Sequence, residues 1–306
     1  MAKDAEYNIS KNFFANFHQI KDANNHPLTN VYWSPTSETG HAYGCVYLIH
    51  GYGGSPIEPC MKVPMTAALA RGFDVVAIEG VGLSATAEKD KAVESMTLER
   101  QKQALHSGLE YCGTIRNISH DYNIGWVHSI SCRALSDLMV DSMFVRHYFN
   151  ELILNNPYLL PPPKVQTLRA KFMQRDPSGE SWKMLMHKVS TQLREIEQRQ
   201  FKIPTCLYNL CIPLPPQWAK RKAFEDLALR ASYFVKQLRL HFILGTADNM
   251  ADYNQNLQIF NGLCIPNKQL VSIQGANHAF ENALGQYSDF SGVILDTIRG
   301  RRLKSK

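Results

Sequence analysis

Short apolar runs recur along this chain, and the longer stretches between several of them carry helical spacing. Six runs read as strands: Cys45 to His50 (CVYLIH), Phe73 to Ile78 (FDVVAI), Ile124 to His128 (IGWVH), Leu152 to Asn155 (LILN), Leu240 to Leu244 (LHFIL) and Gln269 to Ile273 (QLVSI). Unbroken apolar runs alternating with helix-length segments predict a mostly parallel central sheet flanked by helices, an α/β architecture. The mixed polar and aromatic stretch from Phe13 to Ile20, with Val31 to Ser34, predicts an antiparallel hairpin at one edge. After residue 163 the pattern changes. Trp182, Leu185, Met186, Val189, Leu193 and Ile196 recur at helical spacing while Lys183, Lys188, Arg194 and Gln198 fall elsewhere on the wheel, which predicts one amphipathic helix. A second is expected from about Gln217 to Leu238.

Charge sharpens that change. The chain has 306 residues and a net charge of +6, and between Lys164 and Arg239 it holds fifteen Lys and Arg against six Asp and Glu. The remainder holds 18 against 21, so the positive excess lies in one central segment. Pro161, Pro162 and Pro163 precede that segment and Pro204, Pro213, Pro215 and Pro216 interrupt it. Prolines break regular structure, so residues 164–232 read as a basic helical cap inserted in a core made of 1–163 and 233–306.

At 44% hydrophobic and 20% charged the composition excludes disorder and fibrous classes. The seven cysteines, Cys45, Cys60, Cys112, Cys132, Cys206, Cys211 and Cys264, are odd in number and form no Cys-x-x-Cys pair, so neither a disulfide framework nor a zinc knuckle is indicated. No stretch approaches the roughly 20 consecutive apolar residues of a membrane span, and the first ten residues are polar, so a soluble cytoplasmic protein is expected.

Candidate chemistry gathers where strands end, since open parallel sheets build their sites at the carboxyl edge. His50-Gly51-Tyr52-Gly53-Gly54 follows the first run; glycines there let backbone amides approach a ligand oxygen. Val127-His128-Ser129-Ile130-Ser131 follows the third, where a strand-to-helix turn would push Ser129 above the sheet. Gly245-Thr246-Ala247-Asp248 and Gly275-Ala276-Asn277-His278 follow the last two. Each alone has an ordinary reading as a turn, a helix cap or a solvated side chain. Serine, then acid, then histidine, each after a strand, is the chain order of one triad architecture.

On these four motifs the sequence resembles the α/β hydrolases, over nearly all of the chain outside the insertion. The resemblance implies the α/β-hydrolase fold with an inserted cap, Ser129 as nucleophile, Asp248 as acid, His278 as base, and the amides of Tyr52 and Ile130 as an oxyanion hole. Gly80-Val81-Gly82-Leu83-Ser84 is similar to the family's G-x-G-x-S turn, with Ala77 and Glu79 where the family has Asp and Arg. Val127 stands in place of a glycine and is expected to crowd the turn at Ser129. Ser131 has a parallel in the elbow of acyl-carrier-protein thioesterases of luminous bacteria. Ser131 as nucleophile and Asp252 as acid are competing assignments. Asn155 and Asn156 fill the family's other acid position and cannot carry charge.

The expected reaction is acyl transfer to water from an ester or thioester with an apolar acyl part, esterase or lipase against acyl thioesterase. A ligand-binding protein without turnover is the alternative class. Trp182, Leu185, Met186 and Val189 would line the pocket, or merely dock the cap on the core. The basic cap would attract an acidic partner, such as acyl carrier protein or anionic lipid. No phosphate loop, dinucleotide fingerprint or nucleic-acid platform is present, and no spacing suggests a metal, so neither cofactor nor metal is expected.

Overall fold

The computed structural model describes residues 14–36, 42–51, 54–79, 98–115, 122–159, 171, 174–178, 181, 184, 238–263 and 265–304. Eight strands are defined among them: β1 (Asn16–Lys21), β2 (Pro27–Ser34), β3 (Cys45–Ile49), β4 (Asp74–Ile78), β5 (Asn123–His128), β6 (Glu151–Asn155), β7 (Arg239–Gly245) and β8 (Lys268–Ile273). They form one sheet in the order β1-β2-β4-β3-β5-β6-β7-β8. From β4 to β8 every pairing is parallel, while β2 runs antiparallel to β4 and β1 antiparallel to β2. The predicted edge hairpin is therefore β1 and β2, with Phe13 outside the described residues.

The helices are α1 (Pro59–Leu69), α2 (Leu98–Thr114), α3 (Ile130–Asp141), α4 (Met143–Tyr148), α5 (Tyr253–Gly262) and α6 (Leu284–Lys304). Strand side chains alternate between two faces, and here both faces are covered. On one side Tyr47, Ile49, Val127, Leu154 and Phe242 pack with Leu105 and Leu109 of α2 and Leu135 of α3. On the other Val46, Leu48, Trp126, Ile153 and Ile243 pack with Met61 and Met65 of α1 and Tyr287, Leu295 and Ile298 of α6. Burial on both faces explains why the strands read as continuous apolar runs. No described helix is long and apolar enough to cross a membrane.

The ladder sets the carboxyl edge level. Ile49 pairs with Val127, His128 with Asn155, Asn155 with Ile243 and Gly245 with Ile273, so the loops after these strands emerge side by side. Of the expected cap helices at 182–196 and 217–238, only Met184 and Leu238 are among the described residues.

Candidate active site

Ser129 joins β5 to α3 with φ 58° and ψ −128°, a conformation that costs a non-glycine residue ~1–3 kcal/mol. The neighbouring backbone holds it there. Its N–H donates to the Asn155 carbonyl at 3.1 Å, and its carbonyl accepts from Tyr158 N at 3.0 Å and Cys132 N at 3.1 Å. Although Ser129 occupies the cap position of α3, its side chain makes no capping bond. The helix begins at Ile130, directly after Ser129.

Val127 stands two residues before Ser129. It is a β5 residue, paired with Ile49 on one side and Leu154 on the other, and its side chain is buried in the core away from solvent. Gly51 makes a close approach to the serine. A Cβ there would fall 2.6 Å from Ser129 Cβ and 3.3 Å from its Oγ, so only glycine lets the loop after β3 pass over the serine. Ser131, the competing nucleophile, is fully buried: its Oγ donates to the His50 carbonyl at 2.6 Å and accepts from Gln101 Nε2 at 3.1 Å. It ties the start of α3 to the glycine turn.

Asp248 and His278 stand on the loops after β7 and β8. Asp248 Oδ2 lies 2.7 Å from His278 Nδ1, and its Oδ1 accepts from the amides of Met250 at 2.8 Å and Ala251 at 3.0 Å. A carboxylate can only accept, so Nδ1 carries the proton and Nε2 presents its lone pair. That Nε2 lies 2.8 Å from Ser129 Oγ. The structure thus brings Ser129, His278 and Asp248 into one hydrogen-bonded line. Asp252 is engaged elsewhere, as the cap of α5 through a 2.7 Å bond from Gln255 N.

Asn156 was read from sequence only as a residue without charge, yet it organises both loops. Held at φ 39°, it accepts from Gly245 N at 2.6 Å and donates to the carbonyls of His278 at 2.8 Å and Asn277 at 3.1 Å. Further ties run from Ala247 N to the Ala276 carbonyl and from Gly275 N to Thr246 Oγ1. The histidine loop is also anchored by Phe280, buried and stacked on Tyr287.

Beneath the line lies a buried layer. His128 Nε2 is 3.0 Å from the His278 carbonyl, which can only accept, so this nitrogen carries the proton. Its ring lies 4.8 Å from that of His278. Burial, then the neighbouring His278, pulls His128 down to about 3, and burial pulls His50 down to about 4, so both are neutral at pH 7. Burial raises the Glu58 carboxyl to about 7.

Of the other expected site residues, Ile130 is buried in the first turn of α3, where backbone N–H groups have no partner within the helix. Tyr52, Trp182, Leu185, Met186, Val189 and the run 80–84 lie outside the described residues. Glu79, where the family has arginine, is buried and accepts from Asn30 Nδ2 at 2.6 Å and Tyr32 Oη at 3.1 Å.

Comparison with solved structures agrees with this architecture. The chain is similar to Est1E from Butyrivibrio proteoclasticus, solved with ferulic acid bound, at 15% identity and TM-score 0.58 over 90% of this chain and 96% of that one. It is similar to an α/β serine hydrolase homologue from Coxiella burnetii at 12% identity and TM-score 0.57, over 92% and 98% of the two chains. An esterase from Pyrococcus furiosus matches at 14% identity and TM-score 0.58, over 92% and 90%. No protein-family model matches the sequence, and no curated protein matches it. The chain has the α/β-hydrolase fold.

Proposed function

We propose that the protein is a serine hydrolase cleaving a carboxylic ester with an apolar acyl group. The observation that carries this reading is the unbroken line from Ser129 Oγ through the His278 ring to Asp248, with the serine at positive φ. A serine hydroxyl is a weak nucleophile at neutral pH, so Nε2 of His278 takes its proton as Oγ bonds to the acyl carbon. Asp248 holds the imidazole tautomer and stabilises the imidazolium. The negative oxygen is met by the amides of Ile130 and Tyr52. The intermediate collapses as the proton passes to the leaving alkoxide, leaving an acyl-serine. Water, deprotonated by His278, then releases the acid and restores the serine.

The acyl part is a small carboxylic acid in this reading, which the likeness to Est1E with its ferulic acid supports at the level of fold. Residues 164–232 act as the cap that closes over it, with Trp182, Leu185, Met186 and Val189 on the pocket side. Thioester cleavage with an acidic carrier docked on the basic cap rests on sequence alone and takes second place.

A fluorophosphonate probe tests the reading. Wild type should be labelled on Ser129 and Ser129→Ala should not; a folded wild type that stays unlabelled while hydrolysing no nitrophenyl ester overturns it in favour of a binding protein. Faster turnover of acyl thioesters than of the matched oxygen esters, lost with added salt, would instead favour the carrier reading.

A further inference from the structure

Glu58, Cys60 and His128 meet behind the serine elbow although 68 residues separate the last two. Cys60 Sγ lies 3.7 Å from His128 Nδ1, and Glu58 Oε1 lies 3.9 Å from the same nitrogen. One donor atom from each of the three residues lies within 4.8 Å of the others. Because His128 Nε2 is committed to the His278 carbonyl, Nδ1 presents a lone pair to this cluster. Such an outer hydrogen bond is what orients a metal-binding imidazole.

Three further features accompany the cluster. Glu58 Oε1 is buried and has no hydrogen-bond partner among the described residues. Glu58 stands at the cap position of α1 but makes no capping bond; its carboxyl instead takes hydrogen bonds from the Cys60 thiol and the Ser55 amide, so the carboxyl and thiol already face each other. The glycine turn also packs closely against the donors. A Cβ on Gly51 would come within 3.2 Å of His128 Nδ1, and one on Gly54 within 2.5 Å of Glu58 Oε1.

We propose that Glu58, Cys60 and His128 form a site for one thiophilic divalent cation of the zinc class. Zinc takes thiolate sulfur at about 2.3 Å, imidazole nitrogen at about 2.0–2.1 Å and carboxylate oxygen at about 2.0–2.2 Å, which sets tetrahedral donor separations of roughly 3.3–3.6 Å. The two separations from Nδ1 need to shorten by only a few tenths of an ångström, and the one between the Glu58 and Cys60 donors, which lie within 4.8 Å, by at most about 1.2 Å. On binding, the Cys60 thiol gives its proton to solvent and a sulfur–metal bond forms. One dication, one thiolate, one carboxylate and a neutral imidazole sum to zero, the charge a buried position tolerates best. Three protein donors leave a fourth position for water. The residue spacing in sequence, one ligand pair and a distant histidine, did not suggest a metal.

The test uses the full chain with cobalt as a spectroscopic substitute and zinc as competitor. Wild type should bind one equivalent of cobalt with a thiolate-to-cobalt charge-transfer absorption, and one equivalent of zinc should erase it. Cys60→Ser should abolish that absorption, and Glu58→Gln should weaken zinc binding by more than the roughly 10–100-fold typical of losing an outer partner. Ser129→Ala should leave both unchanged, so the result stands whether or not Ser129 turns over an ester. A folded wild type without the charge-transfer band, or a band that survives in Cys60→Ser, overturns the proposal.

Discussion

The two ends of one sheet treat buried charge in opposite ways. At the amino edge Glu151, fully buried, bonds to Tyr122, to His241 Nε2 at 2.9 Å and to Arg301 Nη2 at 2.5 Å, with Arg239 at 4.0 Å. Burial pushes this carboxyl up, but hydrogen bonds from His241, Tyr122 and Arg301 together hold it below its ordinary value near 4.5. At the carboxyl edge the balance is reversed: Glu58 is pushed up, His50 and His128 down, and Glu58 Oε1 and His50 Nε2 have no hydrogen-bond partner among the described residues. The strained residues Ser129 and Asn156 lie there as well. At one edge a buried carboxylate is held charged by the groups around it; at the other, burial works against charge and backbone strain gathers where chemistry is proposed.

Substitutions at each edge should therefore separate activity from stability. The largest effect is expected from Asp248→Asn, which keeps the shape but favours the wrong imidazole tautomer: ester hydrolysis should fall about ten-thousandfold in kcat with the melting temperature little changed. If kcat falls less than about tenfold, Asp248 is not the histidine's partner. At the opposite edge Glu151→Gln should cost about 3 kcal/mol by chemical denaturation, the lower end of the range for breaking a buried pair because both arginines are partly exposed. Its kcat should stay within about twofold, since the cluster lies at the far end of the strands. Because the folded carboxyl titrates low, its stabilisation is present above the ordinary value near 4.5 and lost as pH falls through the lowered one; the variant should lack that share of acid sensitivity.

Asn156→Ala should cost ~1–3 kcal/mol, because it strands the Gly245 amide and two loop carbonyls, and should lower kcat by about tenfold through a displaced His278. A stability loss with kcat intact would assign Asn156 to packing alone. The smallest effect runs the other way. Ser129→Gly should stabilise the fold by about 1 kcal/mol while removing turnover, because glycine accepts φ 58° without strain. No gain in denaturation midpoint would mean the turn carries little strain.

The central strands were legible because burial on both faces writes them as unbroken apolar runs; polar end residues such as Arg239 and Lys268, and the first half of the edge strand β2 from Pro27 to Asn30, fell outside the reading. The positions of Ser129, Asp248 and His278 after strands could be read because chain order reports which loop each occupies. The roles of Asn156 and Ser131 could not. Asn156 meets Asn277 across 121 residues and Ser131 meets the His50 carbonyl across 81, contacts that exist only once the ladder aligns the loops. The surroundings of Val127 were hidden for a related reason. Its neighbours are Ile49 and Leu154, on other strands, so local motif comparison could not say which way its side chain turns.

β6 and β7 are immediate neighbours in the sheet, yet residues 156–238 intervene along the chain. The hydrogen-bonded register between them, together with Asn156 and Tyr158 at the start of that connection, sets how Ser129 faces Asp248 and His278. Under the proposed function, the length and content of the connection beyond Leu159 could change what the site admits while the arrangement of Ser129, Asp248 and His278 is kept.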